Sequence, residues 1–501
     1  MGNRHLTAFL VAGVALSMAP AAAQLVPHPV LTPAAALPPP VMVPPVAAAA
    51  GSTAAMAGSR AANAASSVGS TVADTASSVG SAASSVGSSV AGAVSSAGGT
   101  ADGVASDAEH AAKSATGTLE KTVRDATNDT RDSVGRTADP KLFEQDTNGA
   151  RVLRGEVLCL SPTEHDLSTA TALHFQIATT QTLRSLGLSI AILRAPAGMS
   201  ATDALKALRE SDPSGTYDYD HVYDPTGSVA AHHHGSVAAA PPSGATRIGM
   251  IDGGVDSTHP AFRASAIQSR SFAGTAMATE HGTAVASLLV GHDGDFQGAL
   301  SGATLYAADV YGGSPAGGSA DDIARALAWL AAQDVPVTNI SLAGPPNAIL
   351  AAATSSFVRS GHVLVAAVGN DGPAAPQRYP AAYPGVVGVT SVDEHRSVEI
   401  DANRGPDVAF AARGVAVRAA TMRHDYASVT GTSFAAPVVA ARFALLVGWP
   451  DPSAVARAWK TLEHAAVGAR GRDSIVGYGY LDRPHANSTV AVAGALPPQS
   501  P

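Results

Sequence analysis

Arg247-Ile248-Gly249-Met250-Ile251-Asp252-Gly253-Gly254 reads as a short apolar strand that ends on a carboxylate and then turns through glycines. An apolar run without alternation suits a strand covered on both faces, as in a parallel sheet between two helical layers. The pattern repeats downstream. Residues 304–310, 335–342, 363–368 and 386–392 are further strands of this kind, and residues 281–290 and 319–330 read as helices between them. In the second helix Ile323, Ala326, Leu327 and Leu330 share one face, with Ser319 as its cap. Alternation of this type from Thr246 onward predicts an α/β fold, a mostly parallel sheet with helices on both faces, whose functional groups gather where strands end and helices start. Asp252 stands at one such strand end.

Three more short motifs follow in order: His281-Gly282-Thr283, Val368-Gly369-Asn370-Asp371-Gly372, and Gly431-Thr432-Ser433-Phe434-Ala435-Ala436-Pro437. Each alone is weak, because a glycine-flanked serine is often only a turn. Together they supply the parts of one mechanism. A serine hydroxyl is a poor nucleophile at neutral pH and needs an imidazole to take its proton and a carboxylate to hold that imidazole. Ser433, His281 and Asp252 provide these groups. Asp256 is a nearby competitor, but Asp252 follows the strand directly. An oxyanion then needs donors, and the Asn370 amide with the backbone N–H of Ser433 can supply two. The apolar run 434–440 reads as a buried helix with Pro437 near its first turn. Ser433 therefore sits at the positive end of a helix.

The order Asp, His, Asn, Ser with these flanks resembles the subtilisin-like serine peptidases over about residues 246–482. The chymotrypsin-like order and the G-x-S-x-G elbow of α/β-hydrolases are both absent. The resemblance implies a serine endopeptidase acting on proteins or peptides, with Asp252, His281 and Ser433 catalytic and Asn370 in the oxyanion hole. It also implies a substrate-binding strand containing Ser341, Leu342, Ala343 and Gly344, a primary pocket lined by Gly369 and Arg378, and a closing segment at residues 478–482. Four positions depart from the family pattern. Gly253 replaces a usual Ser or Thr, which would leave the carboxylate less firmly oriented while letting backbone N–H groups approach. Ala343 replaces Gly and narrows the pocket entrance. Arg378 stands where Gly leaves room for a large side chain; its guanidinium would fill the pocket, pair with an acidic residue, or point to solvent. Ala261, in His259-Pro260-Ala261-Phe262, replaces an acidic residue that helps hold calcium in some members. Asp293 and Asp295 could still supply oxygens, but no metal ligand is assigned and the chemistry requires no cofactor.

The remainder of the 501-residue chain has a different composition. Residues 1–23 have a weakly positive start, an apolar run and a small-residue end, which predicts a signal peptide and a secreted or periplasmic product. The apolar run is too short for a comfortable membrane span, so stable membrane insertion is not expected. Residues 24–140 are rich in Ala, Pro, Ser and Gly, with Val68, Val79 and Val90 spaced by 11. Disorder is expected there, with a weakly helical stalk that binds partners as the alternative. Residues 150–227 read as β-α-β-β-α-β, a small ferredoxin-like α+β unit. Its position before the larger domain resembles the family's propeptide, which implies that it folds and then inhibits the enzyme. Residues 228–245 read as a linker holding the processing site, with linker preferred to metal site for the run 232–234. The catalytic domain is expected over 246–484 and a disordered tail over 485–501. A net charge of −9 offers no basic stripe for nucleic acid. Cys159 is the only cysteine and reads as core filler. A catalytically impaired relative acting as a binding protein remains the alternative function.

Overall fold

The computed structural model describes residues 139–233, 246–469 and 471–484. The expected leader, nearly all of the low-complexity region, the last two thirds of the expected linker and the tail lie outside these residues.

The first unit comprises β1 (Phe143–Gln145), β2 (Arg151–Leu160), α1 (Glu164–Ala172), β3 (Gln176–Leu183), β4 (Leu188–Arg194), α2 (Ala201–Ser211) and β5 (Thr216–His221). Its strands pair antiparallel, with β2 between β4 and β5, β3 outside β4, and β1 on the start of β2. This is the ferredoxin-like arrangement that the element order suggested. Local chemistry fixes both helices. Thr163 and Asp166 form a capping box at α1, and the Ser200 hydroxyl accepts the Asp203 N–H at α2. Side chains of β2 alternate between two cores. Val157 and Cys159 pack with Leu205 and Leu208 of their own helix, whereas Leu158 faces the second unit with Ile190. Burial pushes the Cys159 thiol up to about 12, in keeping with a core side chain.

Then come β6 (Asp224–Pro225), β7 (Ser228–His233), β8 (Arg247–Asp252), β9 (Ile267–Ser271), α3 (Glu280–Val290), the small hairpin β10 (His292–Asp293) and β11 (Phe296–Gln297), β12 (Thr304–Asp309), α4 (Ala320–Ala332), β13 (Val337–Ile340), β14 (Leu342–Ala343), α5 (Ala348–Arg359), β15 (Val363–Ala367), β16 (Val387–Val392), β17 (Val408–Arg413), β18 (Val417–Ala420), β19 (Tyr426–Thr430), α6 (Thr432–Ala444) and α7 (Pro452–Ala465). A parallel sheet in the order β17-β16-β15-β13-β8-β12-β9 forms the centre. Met250 joins a core with Val285, Leu289, Val439 and Phe443, and the next residue, Ile251, joins the opposite core with Ile323, Leu327, Ile349 and Phe357. The sheet is thus covered on both faces, as its apolar strands require.

Two expectations change. The predicted strand 335–342 divides at Ser341: β13 stays in the sheet, and β14 leaves it to pair antiparallel with β6. The first six residues of the predicted linker form β7, which pairs antiparallel with β19. Small polar residues carry no strand signal of their own, and the partner strand supplies the order.

Candidate active site

Asp252 ends β8 and His281 lies in the first turn of α3, whose cap Thr279 accepts the Gly282 N–H. This brings His281 Nδ1 to 2.9 Å from Asp252 Oδ1. The same oxygen accepts the Gly253 N–H at 2.7 Å. A Cβ on Gly253 would lie 2.2 Å from Thr279 Oγ1, so no larger residue fits while Thr279 caps the helix. Asp252 Oδ2 has no hydrogen-bond partner among the described residues. Asp256, the competing carboxylate, instead closes a local turn with Thr258.

Ser433 is fully buried at the second position of α6. Its helix begins at Gly431, which offers no side-chain cap and has φ 145°. The Thr432 N–H donates to Asn370 Oδ1 at 3.1 Å. That bond fixes the orientation of the amide, with Nδ2 as its donor atom beside Gly431. A Cβ on Gly431 would sit 2.7 Å from Asn370 Nδ2 and 3.2 Å from the Thr226 carbonyl oxygen. Glycine is therefore needed at 431 for space as well as for its backbone angle. The Phe434 ring, next to Ser433, lies 5.3 Å from the His281 ring.

Pro437 falls in the second turn of α6, further in than expected. It has no N–H to offer the Ser433 carbonyl four residues earlier. Ser341 Oγ donates to that carbonyl at 2.9 Å, and Ser433 Oγ donates to the Ser341 carbonyl at 3.0 Å. The residue at which the strand divides thus braces the Ser433 backbone.

The chain's own residues 223–228 cross this site. Asp224 pairs with Ala343 and Pro225 with Leu342. The Thr226 N–H approaches the Ser341 carbonyl at 3.3 Å and Ser433 Oγ at 3.2 Å, and Thr226 Oγ1 is 2.6 Å from Ser433 Oγ. β7 continues beyond on β19. The residue opposite Ser433 is therefore Thr226, just before the expected processing window 228–245. Sequence reasoning missed Thr226 and Gly227. The available hints were Pro225, which favours an extended residue before it, and Gly227, which adopts φ 131°.

Near the substrate strand, Gly344 exchanges backbone hydrogen bonds with Tyr379 at 2.9 and 3.0 Å. Arg378 Nε pairs with Asp371 Oδ2 at 2.5 Å, and its Cγ lies 3.1 Å from where a Cβ on Gly369 would be. Its charge is thus met by a neighbouring carboxylate. Around the candidate calcium oxygens, Asp293 accepts the Tyr426 hydroxyl and Asp295 pairs with Arg418. Among the described residues no group of three or more His, Cys, Asp or Glu side chains could hold a metal.

The first unit reaches this domain through β5. Asp218 Oδ2 accepts the Ala348 N–H at 2.6 Å and Asp220 Oδ1 accepts the Asp321 N–H at 3.2 Å, so alternate residues of one strand cover the starts of α5 and α4. Burial raises the Asp220 carboxyl well above its ordinary range, and Asp321 and Asp322 raise it further.

A family model described as the subtilase family matches residues 243–479. Subtilisin Savinase of Lederbergia lenta is 33% identical over 222 residues, 43% of this chain and 80% of that protein. Minor extracellular protease Epr of Bacillus subtilis (strain 168) is 32% identical over 206 residues, 40% of this chain but only 32% of Epr's own length. The crystal structure of fervidolysin from Fervidobacterium pennivorans, described as a keratinolytic enzyme related to subtilisin, shares the fold with a TM-score of 0.55 at 18% identity. That likeness covers 68% of this chain and 62% of fervidolysin.

Proposed function

Because this chain belongs to the subtilase family of serine peptidases, we propose that it is a serine endopeptidase made as a zymogen that cleaves itself. Ser433 Oγ attacks the carbonyl carbon of the bound peptide while His281 Nε2 takes its proton. Asp252 holds His281 through Nδ1 and stabilises the imidazolium. The oxyanion is held by Asn370 Nδ2 and the Ser433 N–H, a first-turn donor that α6 leaves unused. Collapse expels the amine, protonated by His281, and leaves an acyl-enzyme that water hydrolyses. One observation carries this reading: a peptide segment lies extended along Leu342–Ala343 with Thr226 against Ser433 Oγ. The bond it offers is Thr226–Gly227.

In this reading residues 150–227 fold the catalytic unit and then block it, a role supported by Asp218 and Asp220 on two helix starts. Arg378, paired with Asp371 across Gly369, favours a small residue just before the cleaved bond. The chemistry itself requires no cofactor. The product is secreted or periplasmic, supported by residues 1–23 and by Epr, which is named as extracellular. No helix among the described residues is long and apolar enough to cross a membrane.

The test is a fluorophosphonate probe with intact-mass analysis of wild type and Ser433→Ala. Labelling and a chain cut after Thr226 are expected for wild type only. Absence of labelling in folded wild-type protein would remove the peptidase reading and favour a binding protein.

A further inference from the structure

Asp309 ends β12 beside Asp252, its register partner on β8, and is almost fully buried. Its carboxylate accepts three backbone N–H groups from two loops. Oδ1 takes those of Tyr311 and Gly312 at 3.0 and 2.8 Å, and Oδ2 takes that of Met277 at 3.1 Å. The Met277 bond lies on the approach to His281. Further along, the Thr279 N–H donates to the Gly254 carbonyl at 2.9 Å, and Thr279 then caps α3 with His281 in its first turn. A Cβ on Gly254 would lie 2.3 Å from the Met277 carbonyl oxygen and 3.1 Å from Asp309 Oδ2. The approach is thus wedged between the turn after Asp252 and the Asp309 carboxylate. The other oxygen serves a different loop. Residues 311–318 reach the segment that crosses the site, since the Tyr311 hydroxyl donates to the Tyr223 carbonyl at 2.7 Å and the Gly318 carbonyl accepts the Tyr223 N–H at 2.9 Å.

We propose that Asp309 is a positioning residue of the peptidase: its carboxylate sets the place of His281 through Met277 and ties it to the loop that receives the segment before the cleaved bond. This rests on the peptidase reading and adds a residue that acts through others. Both oxygens are needed. An amide at 309 has one acceptor oxygen and one NH2 group. Its oxygen satisfies more donors on the side of Tyr311 and Gly312, which turns the NH2 group against the Met277 N–H, donor against donor. That releases the approach to His281 and leaves residues 311–318 in place. The isosteric Asp309→Asn therefore separates two functions, because the proton acceptor shifts while the peptide-binding loop stays. Misplacement of a reacting group by about 1 Å costs about a hundredfold in rate, which bounds the expected loss.

The experiment uses full-length protein after its own processing, with active sites counted by the fluorophosphonate probe. The substrate is the peptide Tyr-Asp-Pro-Thr-Gly-Ser of residues 223–228. Asp309→Asn should lower kcat per labelled site by about 10- to 100-fold and leave KM within about twofold. Counting by labelled site removes any unfolded fraction, so a merely structural role would leave this kcat unchanged. Gly254→Ala presses on the Met277 carbonyl from the opposite side and should give the same split; it decides the matter if Asp309→Asn does not fold. Unchanged kcat per labelled site, or a loss carried by KM, overturns the positioning role and leaves the peptidase reading standing. Folded wild-type protein that neither labels nor cleaves overturns the peptidase reading, and the positioning role falls with it.

Discussion

The starts of α4 and α5 differ from the start of α6 in one respect that separates docking from chemistry. At α4, Ser319 and Asp322 form a capping box and Asp220 of β5 covers the Asp321 N–H. At α5, Asn347 caps the helix and Asp218 covers the Ala348 N–H. At α6 the cap is a glycine with no side chain to offer, and the Thr432 N–H is spent on orienting Asn370. Helix starts expose donors and partial positive charge. Two of these starts are filled by carboxylates of another unit. The third has no such carboxylate, and in the proposed mechanism it serves the charge that develops on a reacting carbonyl.

The largest expected effect breaks the third of these. Asn370→Leu should lower kcat by about 10² to 10³ with KM little changed, a magnitude taken from a subtilisin rather than derived for this chain. Equal turnover in variant and wild type would show that the amide is not an oxyanion donor.

Next comes the start of α3, where cap and carboxylate share space. Gly253→Ser forces a Cβ into Thr279 Oγ1 and should cost about 1–3 kcal/mol of stability in thermal melts. Thr279→Ala in the same chain should recover most of it, although Thr279→Ala alone destabilises by about 1 kcal/mol. A serine at 253 that melts like wild type would show that Thr279 moves aside freely.

A smaller loss follows removal of one docking acid. Asp218→Ala uncovers the start of α5 and should weaken retention of the cleaved first unit by about 1 kcal/mol, a few-fold in affinity. Binding measured by surface plasmon resonance on processed protein checks it, and unchanged affinity would make the contact incidental.

The fourth effect is the mildest and depends on pH. The docked state raises the Asp220 carboxyl by burial and then by Asp321 and Asp322, and Asp322 is itself raised to about 7, by burial first, against the pull of Arg325. The docked state therefore holds the Asp220 proton more tightly than the released one. Docking is strongest below the ordinary carboxylate range and weakens as pH rises through the raised range of Asp220. Asp220→Asn keeps an acceptor for the Asp321 N–H and should flatten the profile. A wild-type affinity that grows with pH would reverse the assignment.

Much of this was legible locally. β8 with Asp252 at its end, the helices opening near His281 and Ser433, the Ser319 cap and the β-α-β-β-α-β order each rest on patterns within about a dozen residues. Apolar runs, caps and glycine turns are properties of neighbours in sequence. The exchange of side chain at 253 also showed in sequence, but its cause did not. Thr279, which occupies the missing side chain's space, arrives from a different element.

By itself, then, the sequence determined the α/β class, the small α+β unit before it and the candidates for the reacting groups, because each is written in short-range patterning. Only the tertiary structure decided what lies in the cleft. Asp224 and Pro225 find their partners more than a hundred residues away, on a two-residue strand with no periodicity to read. The six residues of β7 become a strand because β19 offers unpaired backbone groups. The link from Pro437 to Ser341 has the same origin: proline frees a carbonyl, and the packed fold alone determines which hydroxyl reaches it.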